Sequence, residues 1–382
     1  MQRTRSDETA RVKIALLDPM SYFNLGLYDA SLTSSLLGAG EDSVILIGNE
    51  NFEFQRETEA EFIGCFRYSG RGFLMKFFQY FRSMLEVSRI IRSRSIDVIH
   101  VQWSKLPLVD CFFYKAFRRK GVQLVFTMHN AVPRRLDRRS IEENKRLCGH
   151  FDHIIVHDEY SRAKVHELYG IETGKVTVVP HGPLKFPTLI ETESKREGSV
   201  IQEVPKNKYI VAFLGYLKKY KGIDIFIDSV ASSDEIPGLH YLIAGYGKVP
   251  ELMKLEQRND VTILNRKLEN DEFLALMRAT NLLVLPYREI SQSGLLMTAL
   301  AEGVPALASN CGGMAEILKK SGCGRIMREL SVDEIRRCIE EEFHRGKGTP
   351  RECSLPEEYR WSRIGERTLQ VYNSLALGQG LN

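Results

Sequence analysis

Residues 285–318 read LPYREISQSGLLMTALAEGVPALASNCGGMAEIL, and their punctuation decides the fold. A strand over Asn281–Pro286 breaks into the polar loop Ser291-Gln292-Ser293-Gly294. A short apolar helix begins at about Leu295, stops at Gly303 and passes through Val304-Pro305 into a strand over Ala306–Ser309. Strand, glycine-bearing loop, helix and strand make a βαβ unit. The start of its helix offers free backbone N–H groups and the positive end of the dipole, which together suit an anion. A Ser-Gly pair there suits a phosphate, because glycine lets it approach the backbone closely. The next strand also ends in a glycine loop, Asn310-Cys311-Gly312-Gly313, on the same side of the sheet. An ordinary βαβ unit with a tight turn fits the same residues, and this stretch alone leaves both readings open.

Outward from this unit the same alternation recurs. Upstream lie strands at Tyr209–Leu214, His240–Ala244 and Val261–Leu264, with helices at Asp224–Ser229, Lys248–Arg258 and Asp271–Arg278. Between Leu184 and Lys208 the pattern lapses into charged and polar residues with Pro and Gly, which marks a linker. Before it come strands at Val12–Leu17, Ser43–Ile47, Asp97–Gln102, Val122–Met128, His153–His157 and Val176–Val179. Helices at Leu27–Leu37, Gly72–Ser93, Leu108–Arg119, Ser140–Cys148 and Glu159–Tyr169 separate them. Repeated βα alternation predicts parallel sheets covered on both faces. The expected fold is therefore α/β with two doubly wound domains, at 1–190 and 191–355. A helical segment at 356–382 is too short for a domain and packs back on the first. Ligands of such sheets bind beyond the carboxyl ends of the strands, which predicts a site in the cleft between the domains.

Composition agrees with this reading and narrows the function. At 382 residues the chain is long enough for two domains. Its apolar fraction of 43% and charged fraction of 27% are ordinary for a globular protein. A net charge of +4 is too small to imply nucleic acid. The seven cysteines are scattered without a CxxC pair, which predicts reduced thiols in a cytoplasmic protein and neither a disulfide framework nor a zinc site. MQRTRSDETARVK has no apolar signal core, and no run approaches the ~18 apolar residues of a membrane span. Membrane contact is expected to be peripheral, on the cytoplasmic face of the inner membrane.

Several residues carry candidate chemistry. GYLKKYKG, Gly215 to Gly222, sets Lys218, Lys219 and Lys221 just after a strand, where ammonium groups can neutralise a diphosphate. A solvated basic loop is the plainer reading, and the flanking glycines favour the functional one. Gly245-Tyr-Gly247 lacks the third glycine of a dinucleotide fingerprint, so hydride transfer is a weak reading. His129, His157 and His181 each end a strand and can converge on one site, although a strand-end histidine is commonly structural. Their spacing is not that of a zinc set.

The segment 71–94, RGFLMKFFQYFRSMLEVSRIIRSR, alternates aromatic and aliphatic residues with six basic ones against a single acid, Glu86. That pattern suits contact with an anionic membrane, whereas a core-facing helix with a basic rim is the plainer reading. The arginines at 134, 135, 138 and 139 and the run Arg118-Arg119-Lys120 add to the membrane reading.

The order of motifs resembles the retaining family 4 glycosyltransferases of the GT-B fold. The resemblance is carried by DVIHVQW, FTMHNAVPR, IIVHDEYSRAKVHELYGI, VTVVPHG, FLGYLKKYKGID, LIAGYG, the opening stretch and the terminal YRWSRIGERTLQVY. It implies a C-terminal domain that binds a nucleoside diphosphate sugar, an N-terminal domain that presents the acceptor, and a last helix that crosses back. It implies that His129 lies near the transferred sugar and that Lys221 stabilises the diphosphate. Lys218 stands in for a usual arginine whose position is Tyr216. Ser293, Gly294 and Leu295 match the loop that holds phosphates and sugar through N–H groups. Gly215, Gly245 and Gly247 complete the donor side, with Arg266 and Leu268 near the base. Asn24, Gly26, Asn130 and His181 fall on the acceptor side.

One departure stands out. The family commonly has two glutamates eight positions apart across the loop, and those positions are Ile290 and Thr298. A threonine cannot accept both ribose hydroxyls as a carboxylate does. The chain thus resembles a subset with an S-G-x-L loop, and Glu289 and Glu302 are candidate replacements. The implied activity is transfer of a hexose from a UDP- or GDP-sugar to a glycan acceptor carried on a lipid, in surface polysaccharide assembly, with no cofactor or metal. A non-catalytic homologue that binds a sugar nucleotide or a partner glycosyltransferase is the alternative, and a nucleotide-sugar epimerase a third.

Overall fold

The computed structural model describes residues 12–40, 43–67, 72–133, 136–184, 200–290, 293–346 and 353–376. The expected linker lies largely outside these residues, as do Arg71, Arg134, Arg135, Ser291 and Gln292. Packing divides the chain into two units. One holds the residues up to Pro180 together with those from Trp361 onward, and the other runs from His181 to Arg360. The boundaries expected from sequence were 190 and 355.

The first unit is built on seven parallel strands: β1 Ile14–Asp18, β2 Val44–Asn49, β3 Glu61–Phe66, β4 Val98–Val101, β5 Gln123–Thr127, β6 His153–Val156 and β7 Val176–Val178. Their spatial order is β3-β2-β1-β4-β5-β6-β7. β1, β2, β4 and β6 are buried along their whole length, as strands covered on both faces must be. α1 (Phe23–Gly38), α2 (Phe73–Ser93), α3 (Pro107–Arg118), α4 (Arg138–Cys148) and α5 (Glu159–Tyr169) make the crossovers. Asp137 and Asp158 cap α4 and α5, accepting from the N–H groups of Ser140 and Ser161. α2 and α3 bury one face of each in a common core with β4 and β5.

The second unit has six parallel strands: β8 Tyr209–Leu214, β9 Leu239–Gly245, β10 Val261–Asn265, β11 Leu282–Leu285, β12 Ala306–Ala308 and β13 Gly324–Ile326. Their order is β10-β9-β8-β11-β12-β13. The helices are α6 (Ile223–Ala231), α7 (Asn270–Arg278), α8 (Gly294–Ala301), α9 (Met314–Ser321) and α10 (Val332–Gly346). Two apolar cores lie on the two faces of this sheet. The helix expected over Lys248–Arg258 is instead a 3₁₀ turn, Pro250–Leu255. Its closing bonds run from Leu252 N–H to Val249 and from Arg258 N–H to Leu255, a three-residue step.

The last helix, α11 (Trp361–Ala376), returns to the first unit and packs on α1. The contact is close enough that a Cβ on Gly365 would meet the Ser35 carbonyl group. Tyr372 is fully buried there, 2.6 Å from His100 Nδ1.

The expectation of reduced thiols throughout is corrected at one place. Cys323 and Cys353 are bonded, their Cα atoms 5.1 Å apart. The bond ties the chain ahead of α11 to the turn between α9 and β13. Cys65, Cys111, Cys148, Cys311 and Cys338 are free.

Candidate active site

Each sheet reverses its strand order once, between β1 and β4 and between β8 and β11. Crossovers leave in opposite directions at such a point, so the loops at the strand carboxyl ends part and leave room for a ligand. Lys218, Lys221, Ser293 and Gly294 sit on the loops after β8 and β11, at the reversal of the second sheet.

In the second unit, β8 is followed by Gly215, whose φ is 99°. A Cβ built on Gly215 would lie 3.8 Å from Lys221 Nζ and 3.9 Å from Leu295 Cδ2, so the ammonium group and the side chain of Leu295, on the first turn of α8, both border this glycine. Gly245 is required on the other side, with φ 145° and its Cα against the Gly215 carbonyl oxygen, where any side chain would collide. The Gly247 N–H donates to Asn265 Oδ1 at 3.2 Å and joins the loops after β9 and β10.

Lys221 Nζ lies 5.2 Å from the centre of the Tyr287 ring. Burial opposes its charge, yet the phenol oxygens of Tyr287, Tyr220 and Tyr216 outweigh burial and raise its pKa above the ordinary lysine value. It is an ammonium ion at neutral pH. Lys218 and Tyr216 are exposed on the same turn. The turn is held by Arg288, whose guanidinium donates to both Asp224 carboxylate oxygens. Arg288 also donates to the Lys219 carbonyl group. Sequence reasoning missed Arg288 and Asp224, since nothing local links residues so far apart.

The tip of α8 is preformed. Buried Ser293 caps it by accepting from Leu296 N–H at 3.2 Å, and Met297 N–H closes on the Ser293 carbonyl oxygen. The N–H groups of Gly294 and Leu295 head the helix at its positive end. His181 belongs to this unit and lies beside Gly294, 3.6 Å from where a Cβ would stand. It therefore sits on the donor-type loop and not among the histidines of the first unit.

The residues weighed as replacements for the usual glutamates are placed as follows. Ile290 is half-buried against the core, and Glu289 is exposed. Thr298 is buried and its hydroxyl donates to the Gly294 carbonyl oxygen at 2.9 Å. Glu302 follows the last residue of α8, at the opposite end of the helix from Ser293, and pairs with Arg278 Nε at 2.8 Å. Arg266 is gripped at 2.7 and 2.8 Å by both carboxylate oxygens of Glu272, and half-buried Leu268 packs on the core.

In the first unit a polar relay runs along the strand ends. His157 Nδ1 is 2.9 Å from the Val179 carbonyl oxygen, so that nitrogen carries the hydrogen. Its Nε2 then accepts from His129 Nδ1 at 3.1 Å. His129 Nε2, left with its lone pair, is 3.1 Å from Gln102 Oε1, and Gln102 Nε2 is 3.2 Å from His100 Nε2; a neutral relay requires this amide turned over, its NH₂ group toward His129 and its oxygen toward His100. His100 Nε2 then donates to Thr127 Oγ1 at 2.6 Å, and Tyr372 O–H donates to His100 Nδ1. Burial disfavours the charged form at two of these imidazoles, pulling His157 down to about 4 and His100 to about 3. Trp103 stacks on His129 at 5.6 Å and Tyr28 meets its edge at 4.9 Å.

At the end of β1, buried Asp18 accepts from Met20 N–H at 2.6 Å. Burial raises its carboxyl to about 7, and buried Asp29 on α1 is raised well above the carboxylate range. Gly26 lies under the rings of Phe54 and Phe52, as a packing glycine of α1. Asn130 is exposed beyond His129, and the Asn24 side chain is outside the described residues. Among the described residues no cluster of three or more His, Cys, Asp or Glu side chains is gathered as for a metal ion.

Two parallel Rossmann-like units with a returning helix define the GT-B fold. Residues 30–182 match the family Glycosyltransferase Family 4, and residues 208–341 match Glycosyl transferases group 1. The chain thus carries the paired domains of a GT-B glycosyltransferase. A D-inositol 3-phosphate glycosyltransferase of Nocardiopsis dassonvillei is 24% identical over 70% of this chain and 68% of its own. The solved glycosyltransferase of Rickettsia africae superposes with a TM-score of 0.73 at 14% identity, covering 96% of this chain and 99% of that one. Anabaena HepE, solved with UDP and glucose, gives a TM-score of 0.72 at 15% identity over 95% of this chain and all (100%) of its own.

Proposed function

We propose that the protein moves a hexose from a UDP- or GDP-sugar to a hydroxyl of a glycan carried on a lipid, with retention of anomeric configuration, in surface polysaccharide assembly on the cytoplasmic side of a membrane. The observation that carries this reading is that Lys221 Nζ and Leu295, on the first turn of α8, both border Gly215. In such a transfer the anomeric C–O bond breaks and its electron pair leaves with the diphosphate. Lys221, helped by Lys218 and the N–H groups of Gly294 and Leu295, is placed to stabilise that charge without rearranging. No metal is needed for that task. His129, with both nitrogens engaged by His157 and Gln102, is not a proton shuttle in this reading. The absence of a carboxylate at Ile290 argues against a covalent glycosyl-enzyme and for departure and attack on one face.

A second reading, a homologue that binds a sugar nucleotide without turning it over, draws on Thr298, whose hydroxyl is already bonded to the Gly294 carbonyl group. A thermal-shift screen of UDP- and GDP-sugars, followed by incubation of the stabilising donor with a lipid extract, separates the two. The first reading expects a glycolipid product with the donor's anomeric configuration. It also expects Lys221→Ala to slow turnover by about a hundredfold or more. Donor binding with neither product nor hydrolysis selects the second reading, and unchanged turnover in Lys221→Ala overturns the first.

A further inference from the structure

The described part of α2 divides along its length. Tyr80, Met84, Val87 and Ile91 are buried in the core, whereas its first turns leave Phe73, Leu74, Met75 and Phe78 open to solvent. Phe73 is 74% exposed, against 1% for Tyr80. α3 packs beside it: Tyr80 O–H donates to Asp110 at 2.5 Å, and the rings of Phe81 and Phe113 are 5.4 Å apart. α3 in turn exposes Leu108 and Phe112, one helical turn apart, at 80% and 64%. Both helices bury their inner faces in one core over one side of the sheet, so their outer faces look away from it together. Six large apolar side chains left in water on two neighbouring helices exceed the scattered exposure usual for a protein surface.

The charges around them point to one occupant. Lys76, Arg82, Arg89 and Arg92 are exposed on α2 and Lys115 and Arg118 on α3, against Glu86 as the exposed acid of these two helices. Lys105 stands close enough to Lys76 for the two to repel. A second copy of the chain would set these cations against one another, while an anionic surface attracts them all. We infer that the outer faces of α2 and α3 form a docking surface for an anionic lipid bilayer, with Phe73, Leu74, Phe78, Leu108 and Phe112 entering its interface and the basic residues at headgroup level. No described helix is long and apolar enough to cross a membrane. The surface would bring the first unit to a lipid-borne acceptor. It deepens the reading of a lipid-linked glycan without depending on catalysis.

The test is co-sedimentation of the full chain with vesicles of phosphatidylcholine alone or mixed with phosphatidylglycerol, without donor or acceptor. Binding to the mixed vesicles that weakens with salt is expected. Lys76→Gln with Arg82→Gln should lower the partition by about fivefold per charge removed. Phe78→Ser with Phe112→Ser should lower it at every salt concentration. Both pairs lie on the surface, and unchanged melting would show that the fold is intact. Donor hydrolysis in solution should be unaffected, which separates failure of this surface from failure of the proposed transfer. Equal binding to the two vesicle types, no binding, or a dimer in velocity sedimentation that the phenylalanine pair abolishes would overturn the inference.

Discussion

Arg288 closes both arms of its guanidinium on the carboxylate of Asp224, at 2.7 and 3.0 Å, and joins the loop after β11 to the start of α6. Its own N–H donates to the Tyr220 carbonyl oxygen at 2.8 Å, so backbone and side chain together fix the turn that carries Lys221. Burial pushes the Asp224 carboxyl up, but Arg288 and the backbone N–H groups at the head of α6 outweigh it and hold it below the usual range. Fixing a charged group before the substrate arrives is how a site lowers the cost of orienting it. Replacing Arg288 by alanine should raise KM for the donor by about tenfold, with a smaller fall in kcat. Steady-state kinetics check this, and an unaltered KM would show that the turn holds without the clamp.

Gln102 is the residue whose orientation decides the protonation of His129. A carboxylate at this position accepts only, so His129 Nε2 must then carry a hydrogen and the His129–His157 pair must hold one more proton. Gln102→Glu should therefore raise the pH at which the imidazoles titrate by about one unit or more. Imidazole resonances followed by NMR against pH read this directly, and identical titration curves would contradict the relay.

Asp18 gives the first unit a predictable pH dependence. Its carboxyl is raised from 3.8 to about 7 in the folded protein, so the native state keeps a proton that the unfolded chain releases in that interval. The stability it contributes is complete below the lower value and is lost as pH rises toward the upper. Asp18→Asn keeps the neutral form throughout, so its melting temperature should gain on that of the parent between pH of about 4 and 7 and hold the gain above. A difference independent of pH would show that Asp18 does not titrate in that range. His157 and His100 act oppositely, because their lowered values remove stability as pH falls below that of free histidine.

Tyr372→Phe removes the partner of His100 Nδ1 where both side chains are buried. The loss should be about 1–3 kcal/mol, the cost of leaving a buried polar atom unpaired. Denaturant unfolding measures it, and a midpoint equal to the parent's would mean that His100 finds another donor.

The parts legible in the sequence are those written in local punctuation. Gly215 and Gly245 mark strand ends, Gly222 and Gly294 helix starts and Gly303 a helix stop, so the donor-type loops are legible in the sequence. β3 escaped because an edge strand reading EFIGCF is only partly buried and has no continuous apolar run. α10 escaped because VDEIRRCIEEEFHRG is dominated by its charged face, although Ile335, Cys338, Ile339 and Phe343 keep helical spacing. The Arg288 clamp spans 64 residues and the His100–Tyr372 contact 272, distances over which sequence spacing carries no signal. The basic aromatic helix was only half legible: the pattern showed both residue types but not which phenylalanines the core would take.

The return of α11 to the first unit sets an order on how the molecule is made. A ribosome releases every residue of the second unit before it releases Trp361, so that unit has all it needs to fold while the first still lacks the helix that covers α1. Until then His100 waits without Tyr372, and the surface of α1 around Ser35 lies bare. A nascent chain stopped short of residue 361 should hold a protease-resistant second unit beside a first unit open to cleavage. The first half of the protein to be synthesised is thus the last to be finished.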